Sequence, residues 1–564
     1  MSPRHSRWIC LALLLAGCAS LTSPNGGPKD LKPPILDSQK TKPANNQTNY
    51  KNKSVELVFN EPVKLNNPKE EIMISPSPGK NVDIRAKGNK VTITPEEPWQ
   101  ENTTYSIVPR EGIQDVTESN SAPNLKLAFS TGNIIDSLSI EGRIKNLLLG
   151  SVAEKITVAL YTQDTFDIFK HPPTYFTKTD KAGRYRIDNI KAGTYRIYAF
   201  DDKNKNLKVE SRTERYGFLS QPIELQERKD SVNIGLVLMD SRPLKITSVR
   251  NVGTITRLRF SKYLVDYAIK ADQQITHGFG DTQTEVVLWN PPHDSLRITL
   301  TATDSIQTQI DSTFYIKKTI TKPIPEPFKW SPTDPLIEAE TATFKATLNY
   351  NKPITDLNID SLLIEIDSAS TFTKEEAKIK KQNKEKKIKT LDSIPTIKFT
   401  KDDIKINDRK KEITLKKVLD KKMFGPESDP KLILKAGKGF MLSIDGDTSK
   451  AMSTRIPVLW QEDTGILHVQ IQTQEKDYLV QLLSRDGKIL SSVPNVKKHL
   501  FKNLTPAEYS IRIVLDKNKN GKWDPGYIGR GEEPEKVLFY TGANGKQTFP
   551  MRANWEYGPL LIKF

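Results

Sequence analysis

Two stretches of this 564-residue chain repeat one another without a gap, and no other feature constrains the fold as tightly. NIKAGTYRIYAFDDKNKNLKVE, Asn189 to Glu210, aligns with NLTPAEYSIRIVLDKNKNGKWD, Asn503 to Asp524, at a constant offset of 314 residues. A repeat spaced so widely is a structural unit used twice, so the chain is modular. A shorter repeat has a different shape. FNEPV, Phe59 to Val63, returns as YNKPI, Tyr350 to Ile354, with a weaker echo in LRFSK, Leu258 to Lys262. Two alternating module types account for most of the sequence.

The secondary-structure signal agrees. VELVF (Val55 to Phe59), KVTITP (Lys90 to Pro95), TYSIVP (Thr104 to Pro109) and LKLAFST (Leu125 to Thr131) alternate apolar and polar residues. Asn, Gly, Asp and Pro separate such runs along the chain, the pattern of half-buried strands in sandwiches. Helical periodicity is nearly absent outside KEEAKIKKQNKEKKIK, Lys374 to Lys389, whose helix formers predict a short exposed helix. The expected fold class is all-β: tandem Ig-like and transthyretin-like β-sandwiches in an elongated multidomain chain, because this length exceeds what one core can serve.

The N-terminus carries Arg4 and Arg7, an apolar run from Trp8 to Leu15, then Ala16, Gly17 and Cys18. Charged, apolar and small residues in that order make a secretory signal. The cysteine directly after the small residues resembles the lipobox of bacterial lipoproteins, which implies cleavage before Cys18 and lipidation of its thiol. Cys10 and Cys18 are the only cysteines, so a mature monomer would have neither a disulfide nor a thiolate metal site. The membrane partner is then reached through the N-terminal lipid. ASLTSPNGGP, Ala19 to Pro28, lacks the acidic cluster that accompanies surface export in Bacteroidetes-type lipoproteins. That predicts an outer-membrane lipoprotein facing the periplasm. The net charge of +17 is concentrated: Lys374 to Lys422 holds 18 basic and 9 acidic residues. Almost no aromatic residue accompanies the run at 374–389, which argues against nucleic acid; a solvated insert, or contact with anionic glycans or headgroups, remains.

VELVFNEPV, ENTTYSIVP, GIQDVTESN and FSTG (Phe129 to Gly132) resemble the SbsA-type Ig-like domain of bacterial surface proteins. SPNGGPKDLKPP, Ser23 to Pro34, is similar to the segment preceding such domains in Bacteroidetes-type lipoproteins. DKAGRYRIDNIKAGTYRIYAF, Asp180 to Phe200, resembles a transthyretin-like or carboxypeptidase-regulatory-like sandwich. The resulting division is a signal at 1–18, a flexible tether at 19–46 and an Ig-like domain at 47–133. A transthyretin-like sandwich at 134–240 and a further β-module at 241–318 follow. A second Ig-like module with the Lys-rich insert occupies 319–460, and a second transthyretin-like sandwich 461–564.

The best constellation for chemistry is DKNKNGKWD, where Asp516, Asn518, Asn520 and Asp524 present oxygens at alternate positions around Gly521. Such alternation suits calcium, which needs six to eight oxygen ligands. The position where an EF-hand has its bidentate Glu holds Tyr527, with Glu532 and Glu533 nearby, and three lysines interleave. The earlier copy keeps Asp202, Asn204 and Asn206, puts Leu207 for the glycine and Glu210 for the last Asp. The alternative for both loops is a hairpin whose Asp and Asn side chains cap backbone amides. The six histidines are scattered, and neither HExxH nor GxSxG occurs. Trp99, Trp289, Trp330, Trp460, Trp523 and Trp555 are read as core or edge packing, with Trp523 folding back onto the sheet, rather than as sugar platforms. The sequence thus points to a non-catalytic, lipid-anchored envelope protein of tandem β-sandwiches with a structural role or one in binding another envelope protein or a glycan. A carbohydrate-binding accessory and a hydrolase with carboxylate chemistry are the alternatives.

Overall fold

The computed structural model describes residues 30–79, 81–122, 125–162, 166–252, 254–292, 295–317, 326–366, 395–407, 412–425, 428 and 430–564. Cys18, the signal and the Lys-rich stretch 374–389 lie outside the described residues. What is described is all-β and multidomain, an elongated chain of five sandwiches, each with its own core. The one α-helix among the described residues is Pro68–Glu71.

In the first sandwich the strands Val55–Val58, Lys90–Pro95 and Val82–Lys87 face Met73–Ser75, Thr104–Val108 and Leu127–Ser130. Alternation puts Val55, Leu57, Val91, Ile93, Tyr105, Ile107 and Phe129 inside. Trp99 joins them edge-on to Tyr105 and Phe129. The tether expected at 19–46 needs correcting over residues 30–46. Asp37 and Lys42 donate backbone hydrogen bonds to Val58 and Glu56, and Thr41 is buried. The segment pairs along the sandwich because Val55–Val58 is otherwise an open sheet edge, with unpaired amides to satisfy.

The short sequence echo is a shared structural device. Asn60, Ser261 and Asn351 each donate a backbone N–H to the incoming chain, to Ile35, Lys245 and Lys329 in turn. Each side-chain oxygen then accepts the N–H of that same residue, at 2.7, 3.0 and 2.9 Å. LRFSK is therefore a third copy, and the uncertain module at 241–318 enters its sheet as the first and fourth do. The next residue differs. Lys262 and Lys352 are buried on carboxylates, Lys262 on Asp304 and Lys352 on Asp445 and Asp447. Glu61 takes that place in the first sandwich, and burial with the charge of Asp115 raises its carboxyl pKa.

The second and fifth sandwiches share one topology. In the second, Tyr175–Lys178, Thr157–Tyr161, Gly193–Phe200 and Tyr216–Phe218 form one sheet, with Ile223–Leu225 also on Gly193–Phe200. Arg184–Ile190, Leu138–Asn146 and a parallel Ile234–Leu236 form the other. The fifth repeats this with Ile489–Pro494, Leu479–Ser484, Ala507–Val514, Val537–Phe539 and Thr548–Met551 against Lys498–Leu504, Gly465–Gln472 and a parallel Glu556–Lys563. The larger sheet of each is buried on both faces; the outer face is apolar in the second, while in the fifth it carries Gln481, Ser510 and Arg512. TVALY, Thr157 to Tyr161, is buried at every position, as are the last six residues of Ala507–Val514. A strand without alternation has something packed on each side.

On the second sandwich the outer face (Ala159, Tyr161, Tyr198, Phe200, Tyr216 and Phe218) forms a separate apolar cluster. Ile306, from a turn of the third sandwich, is buried in it, and Trp523, Tyr527 and Ile528 of the fifth pack against it. The fifth sandwich thus returns to the second. Arg512 donates to the Leu148 carbonyl at 2.8 Å, and Ser220 N donates to Glu533 at 2.7 Å. Truncating a buried Ile costs about 2–5 kcal/mol. Ile306→Ala is therefore expected to speed amide exchange at Thr157–Tyr161 and Gly193–Phe200 while Leu296–Asp304 keeps its protection; unchanged exchange at the first two strands would refute the joint.

Candidate functional site

The two Asp/Asn loops have one conformation despite their different sequences. In the later one Asp516 accepts the backbone N–H of Asn520 at 3.1 Å and of Gly521 at 2.8 Å. In the earlier one Asp202 accepts those of Asn206 at 2.9 Å and Leu207 at 3.2 Å. Asn518 and Asn204 accept the same N–H groups of Asn520 and Asn206, both at 3.2 Å. Lys519 and Lys205 share a left-handed φ of 62°. Gly521 has φ 74° and Leu207 φ 57°, so the copy without glycine carries backbone strain that the other lacks.

The structure gathers the predicted side chains in each loop, with the asparagine oxygens turned to backbone N–H groups. Asn518 and Asn520 each donate an amide hydrogen to Asp524 at 2.6 Å, and Asn204 donates to Glu210 at 2.8 Å. Sequence reasoning missed a further carboxylate in each loop. Glu535 accepts the N–H of Lys517 at 2.8 Å and of Asp524 at 3.0 Å; Glu214 accepts those of Lys203 at 2.9 Å and Glu210 at 2.8 Å. Both are buried. The ungapped alignment stops at Asp524, and extra residues before Glu535 hide the equivalence. Glu532 and Glu533, considered from sequence, turn instead to Arg530 and to Ser220 of the second sandwich. Burial, then the charges of Asp524 and Asp516, push the Glu535 carboxyl above its ordinary range against the two backbone hydrogen bonds. Among the described residues, no group of three His, Cys, Asp or Glu side chains is arranged to hold a metal.

The loops also join modules. Lys205 forms an ion pair with Glu70 in the first sandwich. Val209 and its counterpart Trp523 both pack on the apolar cluster of the second sandwich, while the Trp523 indole N–H donates to the Glu535 carbonyl at 3.0 Å. Trp523 does anchor the loop, as expected, but on the neighbouring sandwich's sheet. Trp555 is partly exposed beneath Arg552.

Between the second and fifth sandwiches opens a cleft of about 1080 Å³. Its floor is the outer face of Leu138–Asn146 and Arg184–Ile190, and Val537–Phe539 forms the facing wall. Five cationic side chains, Arg143, Lys145, Lys178, Arg184 and Arg186, line it with two acidic ones, Glu141 and Asp180.

Residues 30–131 match the family model described as bacterial Ig-like domain, and residues 151–211 that of polysaccharide lyase family 4, domain II. The chain therefore carries an Ig-like domain at its start. No curated protein matches. Among solved structures, the major pilin subunit BcpA of Bacillus cereus is 9% identical, covering 76% of this chain and 99% of its own, with a TM-score of 0.13. Native alpha-2-macroglobulin of Escherichia coli, spanning domains MG0-NIE-MG1, is 13% identical over 53% of this chain and 97% of its own, at 0.18. The SGBP-B protein of the Bacteroides ovatus mixed-linkage glucan utilization locus, solved with a heptasaccharide, is 10% identical over 71% and 88%, at 0.14. At scores this low the superpositions assign no function.

A carboxyl with a raised folded pKa lends stability below its unfolded value of 4.5 and loses it as the pH rises through the folded value. Stability of the wild type relative to Glu535→Gln is accordingly expected to decline as the pH is raised above 4.5. A difference in Tm that stays flat over that rise would contradict the charge crowding.

Proposed function

We propose that this chain is a non-catalytic, lipid-anchored protein of the cell envelope, held in the outer membrane with its modules on the periplasmic side. Its role is to present a fixed interaction surface to an envelope protein or a glycan. The observation that carries the reading is the return of the fifth sandwich onto the second, which fixes two like modules against each other beside an open polar cleft. An enclosed, water-excluding site with convergent acid and base groups is what catalysis asks for; an open cleft between rigid sheets suits binding. The Ig-like domain beginning at residue 30 follows the N-terminal segment closely, which suits a short attachment at Cys18.

Lipid attachment tests the anchor. Cells fed a labelled fatty acid are expected to label the wild-type protein, and Cys18→Ala is expected to lose both the label and the membrane fraction. Stable anchoring needs more than one acyl chain. An unlabelled wild type, or a Cys18→Ala variant that stays in the membrane, overturns this reading.

Calcium at the Asp516 loop is a second reading, favoured by Asn518 and Asn520 converging on Asp524 while Asp516 and Glu535 brace the same loop. The donor set of carboxylate and amide oxygens fits a hard cation. As the loop stands, the Asn518 and Asn520 amides already donate to Asp524, so a bound cation has to displace them. On this reading calcium at about 1 mM, the weak end of the range of extracellular modules, raises the Tm of the full chain, and Asp516→Ala removes the rise. An equal Tm with and without calcium leaves the loops as joints only.

A further inference from the structure

The floor of the cleft carries a charge arrangement that the fold leaves unresolved. Along the paired strands Leu138–Asn146 and Arg184–Ile190, Arg186 stands opposite Glu141 and bonds it at 2.8 Å. One pair along, Arg184 stands directly opposite Arg143, and both are exposed. Neither guanidinium has a carboxylate partner among the described residues. Lys145 follows on the same face, also exposed and without one. Like charges directly opposed across two strands are destabilising, so this face bears a local cost that a bound anion removes.

The surrounding groups narrow the ligand class. Asn233 spends its carboxamide oxygen on the Arg143 N–H at 2.9 Å, and Asn146 spends its own on the Leu148 N–H at 3.1 Å. Each keeps its NH2 to donate in the cleft that both line. Gln547 and the half-buried Phe539 stand on the facing wall. Guanidiniums bind carboxylate or phosphate in bidentate fashion, while carboxamides and an aromatic ring suit a ligand of hydroxyls and ring faces. The volume of about 1080 Å³ stands at the top of the ~300–1,000 Å³ range of ligand sites, which leaves room for several sugar rings.

We propose that this cleft binds an anionic oligosaccharide, its acid group held between Arg143 and Arg184 and its hydroxyls taken by Asn146, Asn233 and Gln547. The proposal rests on the reading of the chain as an interaction scaffold and names the ligand class.

Calorimetric titration of the full chain in detergent with tetragalacturonate tests it, with cellotetraose as the neutral probe and tetraglutamate as the peptide of like charge. Tetragalacturonate is expected to bind, and Arg143→Gln with Arg184→Gln is expected to weaken it about ten-fold or more. A control pair in the fourth sandwich, Lys398→Gln with Lys416→Gln, both exposed and outside the cleft lining, removes as much charge and should cost less than about two-fold if only screened charge is lost. Should the double variant melt early, Arg184→Gln alone carries the same expectation. Equal losses in the two pairs, equal binding of cellotetraose or tetraglutamate, or no binding of tetragalacturonate would each overturn the proposal. A chain that is lipidated at Cys18 yet ignores tetragalacturonate overturns this inference and leaves the anchor standing.

Discussion

Everything distinctive about this molecule depends on a sheet with two apolar faces. A sandwich needs only one. The strands Thr157–Tyr161 and Gly193–Phe200 bury Val158, Leu160, Ile197 and Ala199 inside their own core and carry Ala159, Tyr161, Tyr198 and Phe200 on the other side. Left open to water, that outer face would be a large aromatic patch, which soluble proteins seldom tolerate. Burying a large apolar side chain is worth roughly 1.5–3 kcal/mol, so a handful of such rings outweighs the cost of fixing neighbouring modules in place. The sandwich's own Ile168, Phe169 and Val209 cover part of it, and Ile306 and the segment around Trp523 cover more. The ion pair of Lys262 with Asp304 stands at the same joint, where Lys262 also reaches the Asp240 carbonyl at 2.9 Å. Removing one member of such a buried pair costs about 3–5 kcal/mol, which makes the link between second and third sandwiches exacting in register.

The Asp/Asn loops act within this frame. Their alternating side chains satisfy backbone N–H groups that an irregular turn would otherwise leave unpaired, and a buried glutamate closes each loop from outside the motif. So braced, each loop holds a reaching residue, Lys205 in one and Trp523 in the other, against a neighbouring sandwich. One design therefore serves two interfaces, with the differing residues setting which neighbour is met.

Much of this was legible in the sequence. Period-two alternation marks the strands Val82–Lys87 and Lys90–Pro95, whose burial alternates along the chain, whereas Thr104–Val108 and Leu127–Ser130 are buried almost throughout. The long repeat announced that two modules are alike, and their topologies agree down to the parallel closing strand. Less legible was how the modules meet. The unbroken apolar run of Thr157 to Tyr161 reports a second buried face, yet nothing in a run names its cover. Glu214 and Glu535 escaped notice because an insertion breaks the alignment between them. The opposed Arg143 and Arg184 lie far apart along the chain, and only strand register makes them neighbours.

The return contact also decides how the molecule carries force. A chain anchored near its start and gripped near its end would ordinarily be loaded in series, each sandwich bearing the full tension. Here the second and fifth sandwiches are clasped directly, through Arg512 on Leu148, Glu533 on Ser220 and the rings around Trp523. Tension between the two ends would cross that clasp before it loaded the third and fourth sandwiches, the third of which also stays fixed to the second by Ile306 and Lys262. So clasped, the chain would be stiff at small extension and lengthen only once the clasp parts.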